Sequence, residues 1–368
     1  MYNIVYISVG TFWKIAKLKT FEHNDVLFKD IAKKKDITVH IGLPMNGDTY
    51  LSKLLNGNDK MVTDTWKKIP YKIYDGFYKG EVDSVFINAF ETYSDTRTPS
   101  GEIITSDDVI NYICSTCDYC VANNKPIVLY DPDNFINLNI KTKNNSESIP
   151  KLIYNKYKDY NRFYLSGPFM YGVYNDCVND YTFIPFGLDK DDKQEINPFS
   201  EREYVTRYVG NNYFRDHFIP YFEKCSNYGK TTVNGYNWGN ASKNNKFPNL
   251  EFGKSFPLSG NKVKEFFRNV KIGLYGTTKE FRNDGHFTLR IREYYQAGIF
   301  VVPESIDYMI DAICLDDYKI TCDNIEDFNF NMTDEEYKIL VERQREKLSE
   351  LFDISQYSDL LINKVFMI

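Results

Sequence analysis

The chain has 368 residues, 42% hydrophobic and 26% charged, enough for two ordinary domains with a core each. Its formal net charge of −6 excludes a protein-wide basic footprint of the usual nucleic-acid-binding kind and leaves only local patches. No run approaches the roughly 20 apolar residues of a membrane-spanning helix, and the opening MYNIVYISVGTFW lacks a basic leader. The expectation is a soluble intracellular monomer with no membrane partner.

In chain order, Asn3–Val9 reads as a strand ended by Gly10, and Asp25–Lys34 as an amphipathic helix. Ile37–Ile41 and Val82–Asn88 are further strands. Ser106–Asn123 reads as a helix with Ser106 as N-cap and acids in its first turn. PIVLY, Pro126–Tyr130, is a short buried strand ending at Asp131. The charged, proline-bracketed stretch Pro185–Phe199 reads as a linker. A second alternating block follows: the strand EYVTRYVG around Tyr204, a helix from about Phe214, the strand TTVNGY, and the unit Val270–Glu304. Within that unit Lys271–Tyr275 is a strand stopping at Gly276. Thr288–Ala297 has helical spacing and a glycine stop at Gly298, and Ile299–Val302 is a strand closed by Pro303. Glu335–Leu351 is a long charged helix and Ile354–Val365 a final one. Strands alternating with helices imply parallel sheets with right-handed crossovers. The expected architecture is α/β, two facing Rossmann-like domains with a cleft. Residues 1–188 form the first domain and 200–350 the second, with 351–368 packing back on the first.

Ligands of such sheets bind at strand carboxyl ends, which selects the candidate residues. Asp131 ends a buried strand, where a carboxylate can serve as general base or cap its own loop as an Asx turn. Asp133, two residues on, is the alternative base. Arg290 and Glu293 are three apart on one helix face. They form either an ion pair or a nucleotide clasp, with a guanidinium forked onto phosphate and a carboxylate accepting from ribose hydroxyls. Gly210 ends a strand shortly before Arg215, in the manner of half a phosphate-cradling loop. Gly235, followed by Tyr236, ends the next strand, where bare backbone can approach a planar base. The segment 141–162 carries Lys141, Lys143, Lys151, Lys156, Lys158 and Arg162 against Glu147 and Asp159, with tyrosines interleaved. It is either a solvated face or a patch that holds phosphates and stacks bases.

Seven cysteines, an odd number, fit a reducing compartment. Cys114, Cys117 and Cys120 have the spacing of a helical stripe as well as of a metal site, and no fourth Cys or His is near in sequence. The four histidines show no metal spacing, so no metal site is expected.

The segment RNDGHFTLRIREYYQAGIFVVPESID, with its T-L-R-x-x-E helix at Thr288–Glu293, resembles the donor-binding region of the T-even phage DNA β-glucosyltransferase family. MYNIVYISVG, the KTF stretch at Lys19–Phe21, DVLFKDI, IVLYD, YVGNNYFR, TVNGYNWGN and FGKSFP resemble that family's segments in the same order, over roughly 300 residues at low identity. The resemblance implies a GT-B fold and an inverting, UDP-glucose-dependent glycosyltransferase. Its partner would be double-stranded DNA with hydroxymethylated pyrimidines, flipped out toward the cleft, in a phage-infected host cytoplasm. By motif, Asp131 is the base. Arg290 and Arg215 meet the diphosphate, Glu293 meets the ribose, Gly210 belongs to the glycine–arginine loop, and Gly235 and Tyr236 lie beside the uracil. Mg or Mn, if used, has no dedicated protein site. His23, with Glu22 adjacent, stands at an acidic family position near the first helix, and the family's second arginine after the Gly210–Arg215 loop has no clear equivalent. The net charge keeps a non-DNA acceptor (glycan, protein or small metabolite) open.

Overall fold

A computed structural model describes residues 1–9, 24–43, 71–75, 78–89, 96–97, 103–132, 136, 148–170, 181–210, 212, 215–253 and 261–368. The chain forms two compact units, Met1–Pro185 with Ile354–Ile368, and Phe186–Asp353.

In the first unit the strands are β1 (Tyr2–Val9), β2 (Ile37–Leu43), β3 (Tyr71–Asp75), β4 (Ser84–Ala89), a small antiparallel pair β5 (Thr96–Arg97) and β6 (Ile103–Ile104), β7 (Ile127–Tyr130), β8 (Phe163–Gly167) and β9 (Tyr181–Phe183). Seven of them make one parallel sheet in the order β3-β2-β1-β4-β7-β8-β9. Every residue of β7 is buried, which is why it reads as an unbroken apolar run instead of alternating. Helices α1 (Asp25–Lys34), α2 (Ser106–Ala122) and α3 (Ile149–Tyr157) are the described crossovers. Val26, Leu27, Phe28 and Ile31 of α1 face the core. There Phe28 meets Tyr6 edge-on at 5.5 Å and Phe86 at 5.2 Å. The N-cap of α2 is Thr105, one residue before the expected Ser106. Its hydroxyl accepts from the Asp108 amide at 3.2 Å while the Asp108 carboxylate accepts from the Thr105 amide at 2.8 Å, a reciprocal box that Ser106, lacking an acid three residues on, cannot form. Cys117 and Cys120 of the α2 stripe are buried, and burial pushes their thiols up, Cys120 to about 12.

The chain's last stretch belongs to this unit: α10 (Ile354–Leu360) and a π-helical turn, Leu361–Phe366. It is tied to α1 through the Lys34 ammonium, which donates to the Ser355 carbonyl (3.1 Å), Ser358 Oγ (2.8 Å) and Asp359 Oδ1 (2.8 Å). Burial works against the charge of Lys34, but Asp30 and Asp359 outweigh it and raise its pKa.

The second unit holds β10 (Thr206–Val209), α4 (Ile219–Ser226), β11 (Thr231–Asn234), α5 (Gly239–Asn244), β12 (Leu250–Gly253), α6 (Asn261–Arg268), β13 (Ile272–Tyr275), α7 (Arg290–Ala297), β14 (Phe300–Pro303), α8 (Asp307–Ile313) and α9 (Asp334–Phe352). β10, β11 and β12 pair in parallel, as do β13 and β14. Amides of Lys271 and Ile272 donate to the Tyr204 and Val205 carbonyls at 2.9 and 3.0 Å, setting β13 beside β10. The order is therefore β12-β11-β10-β13-β14, and it reverses between β10 and β13. Ligands of doubly wound sheets lie at such a reversal. The helix expected from about Phe214 begins at Ile219, after a 3₁₀ turn at Asp216–Phe218. Pro220 has no N–H and is tolerated only in a helix's first turn.

The core of this unit is aromatic. Phe222, wholly buried, packs against Tyr208 at 5.2 Å, Trp238 at 5.7 Å and Phe218 at 6.0 Å. Phe222→Ala is expected to lower the unfolding free energy of this unit by about 3–5 kcal/mol, read as a shift of its urea midpoint. A loss below about 1 kcal/mol would contradict the packing.

Candidate active site

In the first unit Asp131 is the residue that follows β7, and it is 0% exposed. Its amide donates to the Ser166 carbonyl of β8 at 2.8 Å, and its Oδ2 accepts from the Ile136 amide at 3.0 Å. The carboxylate thus caps its own loop, as the local reading of the sequence allows, and sits at the carboxyl edge of the sheet, as a base would. Tyr181 stands nearby, donating to the Gly167 carbonyl at 2.7 Å and accepting from the Phe169 amide at 3.2 Å. Burial and the Asp131 charge push the Tyr181 phenol up, so it stays protonated. Sequence reasoning missed a second polar group at the reversal of this sheet. The buried Asn88, the penultimate residue of β4, donates to Tyr6 Oη at 2.9 Å, and Asn24 donates to the same oxygen at 3.4 Å. Asp133, Glu22 and His23 lie outside the described residues.

The expected donor-binding residues all fall at the carboxyl edge of the second sheet. Arg290, the first residue of α7, donates to the Val209 carbonyl at the end of β10 at 2.6 Å and forms an ion pair with Glu293. The two side chains are only 20% and 18% exposed, so this is a largely buried pair and not a surface one. Burial opposes the Arg290 charge, but the Glu293 carboxylate outweighs it and holds the guanidinium above its ordinary value. Gly298 ends α7 with φ 65, a left-handed conformation that glycine adopts without a Cβ clash.

Gly210 does not offer a bare amide to a ligand. Its N–H donates to the Asn234 carbonyl at 2.9 Å, and its carbonyl accepts from the Trp238 indole at 2.8 Å. It ties the ends of β10 and β11 together. Arg215 precedes the 3₁₀ turn, its amide donating to Asn212 Oδ1 at 3.2 Å. The Asn212 amide in turn donates to the Tyr236 carbonyl at 2.9 Å. Gly235 has φ 157 and Asn237 φ 67, a turn that leaves Tyr236 60% exposed at the end of β11.

A further cluster lies at the same edge; of its residues the sequence had suggested only His286, in the loop before α7, as one that approaches a ligand. Glu304, the first residue past β14, is wholly buried. It forms an ion pair with Arg282, its Oε1 lies 3.2 Å from His217 Nε2, and its Oε2 accepts from the Thr277 amide at 3.1 Å. A Cβ on Gly276 would run into the Glu304 carboxylate and the Phe218 ring, which requires glycine there. His286 Nδ1 stands 3.1 Å from Thr277 Oγ1. The available signal was an acid directly after a β-branched run, the pattern that singled out Asp131.

The basic stretch does not gather around Asp131. α3 runs back from the carboxyl to the amino edge of the sheet, so Lys156, Lys158 and Arg162 sit at the opposite edge, about 13 Å away by strand rise. Lys156 is paired with Asp118 of α2 at 3.0 Å, and Lys158 stands over the Tyr154 ring at 5.8 Å. Arg162 donates to the Val365 carbonyl at 3.1 Å and also to that of Asn124, and its own carbonyl accepts from the first residue of β7. Lys141 and Lys143 lie outside the described residues. Among the described residues no group of three or more His, Cys, Asp or Glu is arranged to hold a metal.

No family model and no curated protein matches this sequence. Solved structures match over its whole length. A T4 phage β-glucosyltransferase in complex with UDP and Mn2+ superposes with a TM-score of 0.53 at 14% identity, covering 99% of both chains. An α-glucosyltransferase in complex with UDP and a 13-mer DNA containing a central A:G mismatch gives 0.57 at 13% identity over 100% of both. Trehalose-6-phosphate synthase from E. coli, bound with UDP-2-fluoro glucose, gives 0.55 at 11% identity, over 100% of this chain and 99% of the other. The fold is the expected α/β GT-B fold, and it resembles those of the phage glucosyltransferases along the entire chain.

Proposed function

We propose that this protein is a glycosyltransferase that moves glucose or a related sugar from a UDP donor to an acceptor hydroxyl. The observation that carries the reading is the largely buried Arg290–Glu293 pair at the reversal point of the second sheet. It stands in a chain whose GT-B fold matches UDP-sugar enzymes end to end. Arg290 and Arg215 would oppose the charge that grows on the departing UDP, Glu293 would accept from the ribose hydroxyls, and Tyr236 would offer a face to the uracil. In the inverting form of the reaction, Asp131 takes the proton of the acceptor hydroxyl as that oxygen bonds to the anomeric carbon and the sugar–phosphate bond breaks. The acceptor must reach a carboxylate that now serves the Ile136 amide. A Mg or Mn ion, if used, would travel with the diphosphate.

The acceptor we favour is a hydroxymethylated pyrimidine of duplex DNA in a phage-infected cell. The resemblance of the IVLYD and T-L-R-x-x-E segments supports it, as does the fold shared with the phage enzymes. The position of Lys156, Lys158 and Arg162 at the amino edge supports a second reading, the same chemistry on a glycan, protein or small metabolite. The fold fits both, since its neighbours include a trehalose-6-phosphate synthase, and it leaves the anomeric outcome open between α and β enzymes. The test is a mass spectrum of nucleosides after incubating hydroxymethylcytosine or hydroxymethyluracil DNA with a panel of UDP-sugars. A hexose mass added to the modified base is the expected result. UDP release with another acceptor and none with DNA would move the function to the second reading. Because of their position, changing Lys156 and Lys158 to Ala is expected to leave the salt dependence of DNA binding unaltered. A slope reduced by about one per lysine would return them to the interface.

A further inference from the structure

The Glu304 cluster is built from three loops that follow β10, β13 and β14, and it stands where the strand order reverses. Burying a carboxylate costs several kcal/mol unless it is paired and hydrogen-bonded. Here the Thr277 amide, Arg282 and His217 all converge on it. A plain loop tie would use up its donors, and this one does not. Arg282 is held through one terminal nitrogen, its Nε makes no hydrogen bond among the described residues, and its side chain is 33% exposed. His217 is nine-tenths buried, with neither ring nitrogen in a hydrogen bond among the described residues, although Nε2 lies at ion-pair distance from Glu304.

We propose that Arg282 is a phosphate-contacting residue of the donor site, that Glu304 is the positioning residue that aims it, and that the ligand it takes is the diphosphate of a nucleoside diphosphate. A guanidinium anchored on one side by a carboxylate presents its remaining terminal N–H groups in a fixed direction, the arrangement that suits phosphate oxygens. His217, on the same carboxylate oxygen, fills the other side of the anchor and keeps the guanidinium from rotating. The inference rests on the UDP-donor reading and extends it to His217, Arg282 and Glu304, to which no role had been given.

The test is the dissociation constants of the full chain for UDP and for uridine, which lacks the phosphates. Arg282→Ala is expected to weaken UDP binding at least tenfold and leave uridine binding within twofold of wild type, with Arg282→Lys between. Because Arg282→Ala alone strands a buried carboxylate, Arg282→Ala with Glu304→Gln is measured beside it. That double variant should melt near wild type and still show the UDP-specific loss. Unchanged UDP affinity, or an equal loss for UDP and uridine in the folded double variant, would overturn the assignment and leave the cluster a structural tie. Wild-type protein that binds neither compound would instead overturn the donor reading itself, and the assignment with it.

Discussion

Asp131→Asn is expected to slow sugar transfer by a factor of about 10²–10⁴, the usual worth of a positioned general base, while UDP binding stays as in wild type. The amide is the same shape as the carboxylate and keeps an oxygen for the Ile136 amide, so the loop cap survives. Exchanging a charged acceptor for a neutral one there costs about 1 kcal/mol, small enough to leave the first unit folded. The proposed donor residues, Arg215, Tyr236, Arg290 and Glu293, belong to the second unit and are untouched. The measurements are kcat with the acceptor identified by mass spectrometry, the UDP dissociation constant by calorimetry, and the melting temperature. A variant with wild-type kcat would remove Asp131 from the chemistry and move the base to Asp133 or elsewhere. A variant that fails to fold would reduce Asp131 to its loop-capping role.

Arg290→Ala is expected to act twice. Removing the guanidinium leaves the largely buried Glu293 carboxylate without its cation and the Val209 carbonyl without its donor. Breaking a buried pair from one side costs about 3–5 kcal/mol, and the partial exposure of this one places it at the lower end. UDP binding should also weaken by about ten- to a hundredfold, the range of a hydrogen bond to a charged group. Adding Glu293→Gln separates the two effects. With both charges gone, stability should return toward wild type while UDP affinity stays low. If the double change restored stability and UDP bound as tightly as to wild type, the pair would be an ion pair and nothing more.

Short-range patterning carried much of this protein. IVLYD shows a strand buried on both faces and an acid at its carboxyl end, because a parallel strand with helices on both sides has no solvent face on which to alternate. The 288–298 segment shows a helix and its stop, because only glycine enters the left-handed turn at Gly298 without strain. Other elements were too short or too irregular for periodicity to register. β12 is four residues long, and α4 begins only where Pro220 permits. The one-residue difference at the start of α2 came from a side chain three positions on, Asp108, which chose Thr105 as its partner.

Taken alone, then, the sequence determined the α/β alternation, the strand that presents Asp131, and the helix that carries Arg290 and Glu293, all encoded within a few turns or strands of chain. Tertiary structure alone decided which residues share an edge. Lys156 and Arg162 follow Asp131 within one crossover but sit at the other end of the strands, because the crossover helix runs antiparallel to the strands and returns the chain to their amino edge. His217, Arg282 and Glu304 are far apart in sequence yet converge on one carboxylate, because the reversal of strand order between β10 and β13 brings their loops together. Spacing along a chain records neighbours on one element. Contacts between loops depend on sheet order, which no local pattern encodes.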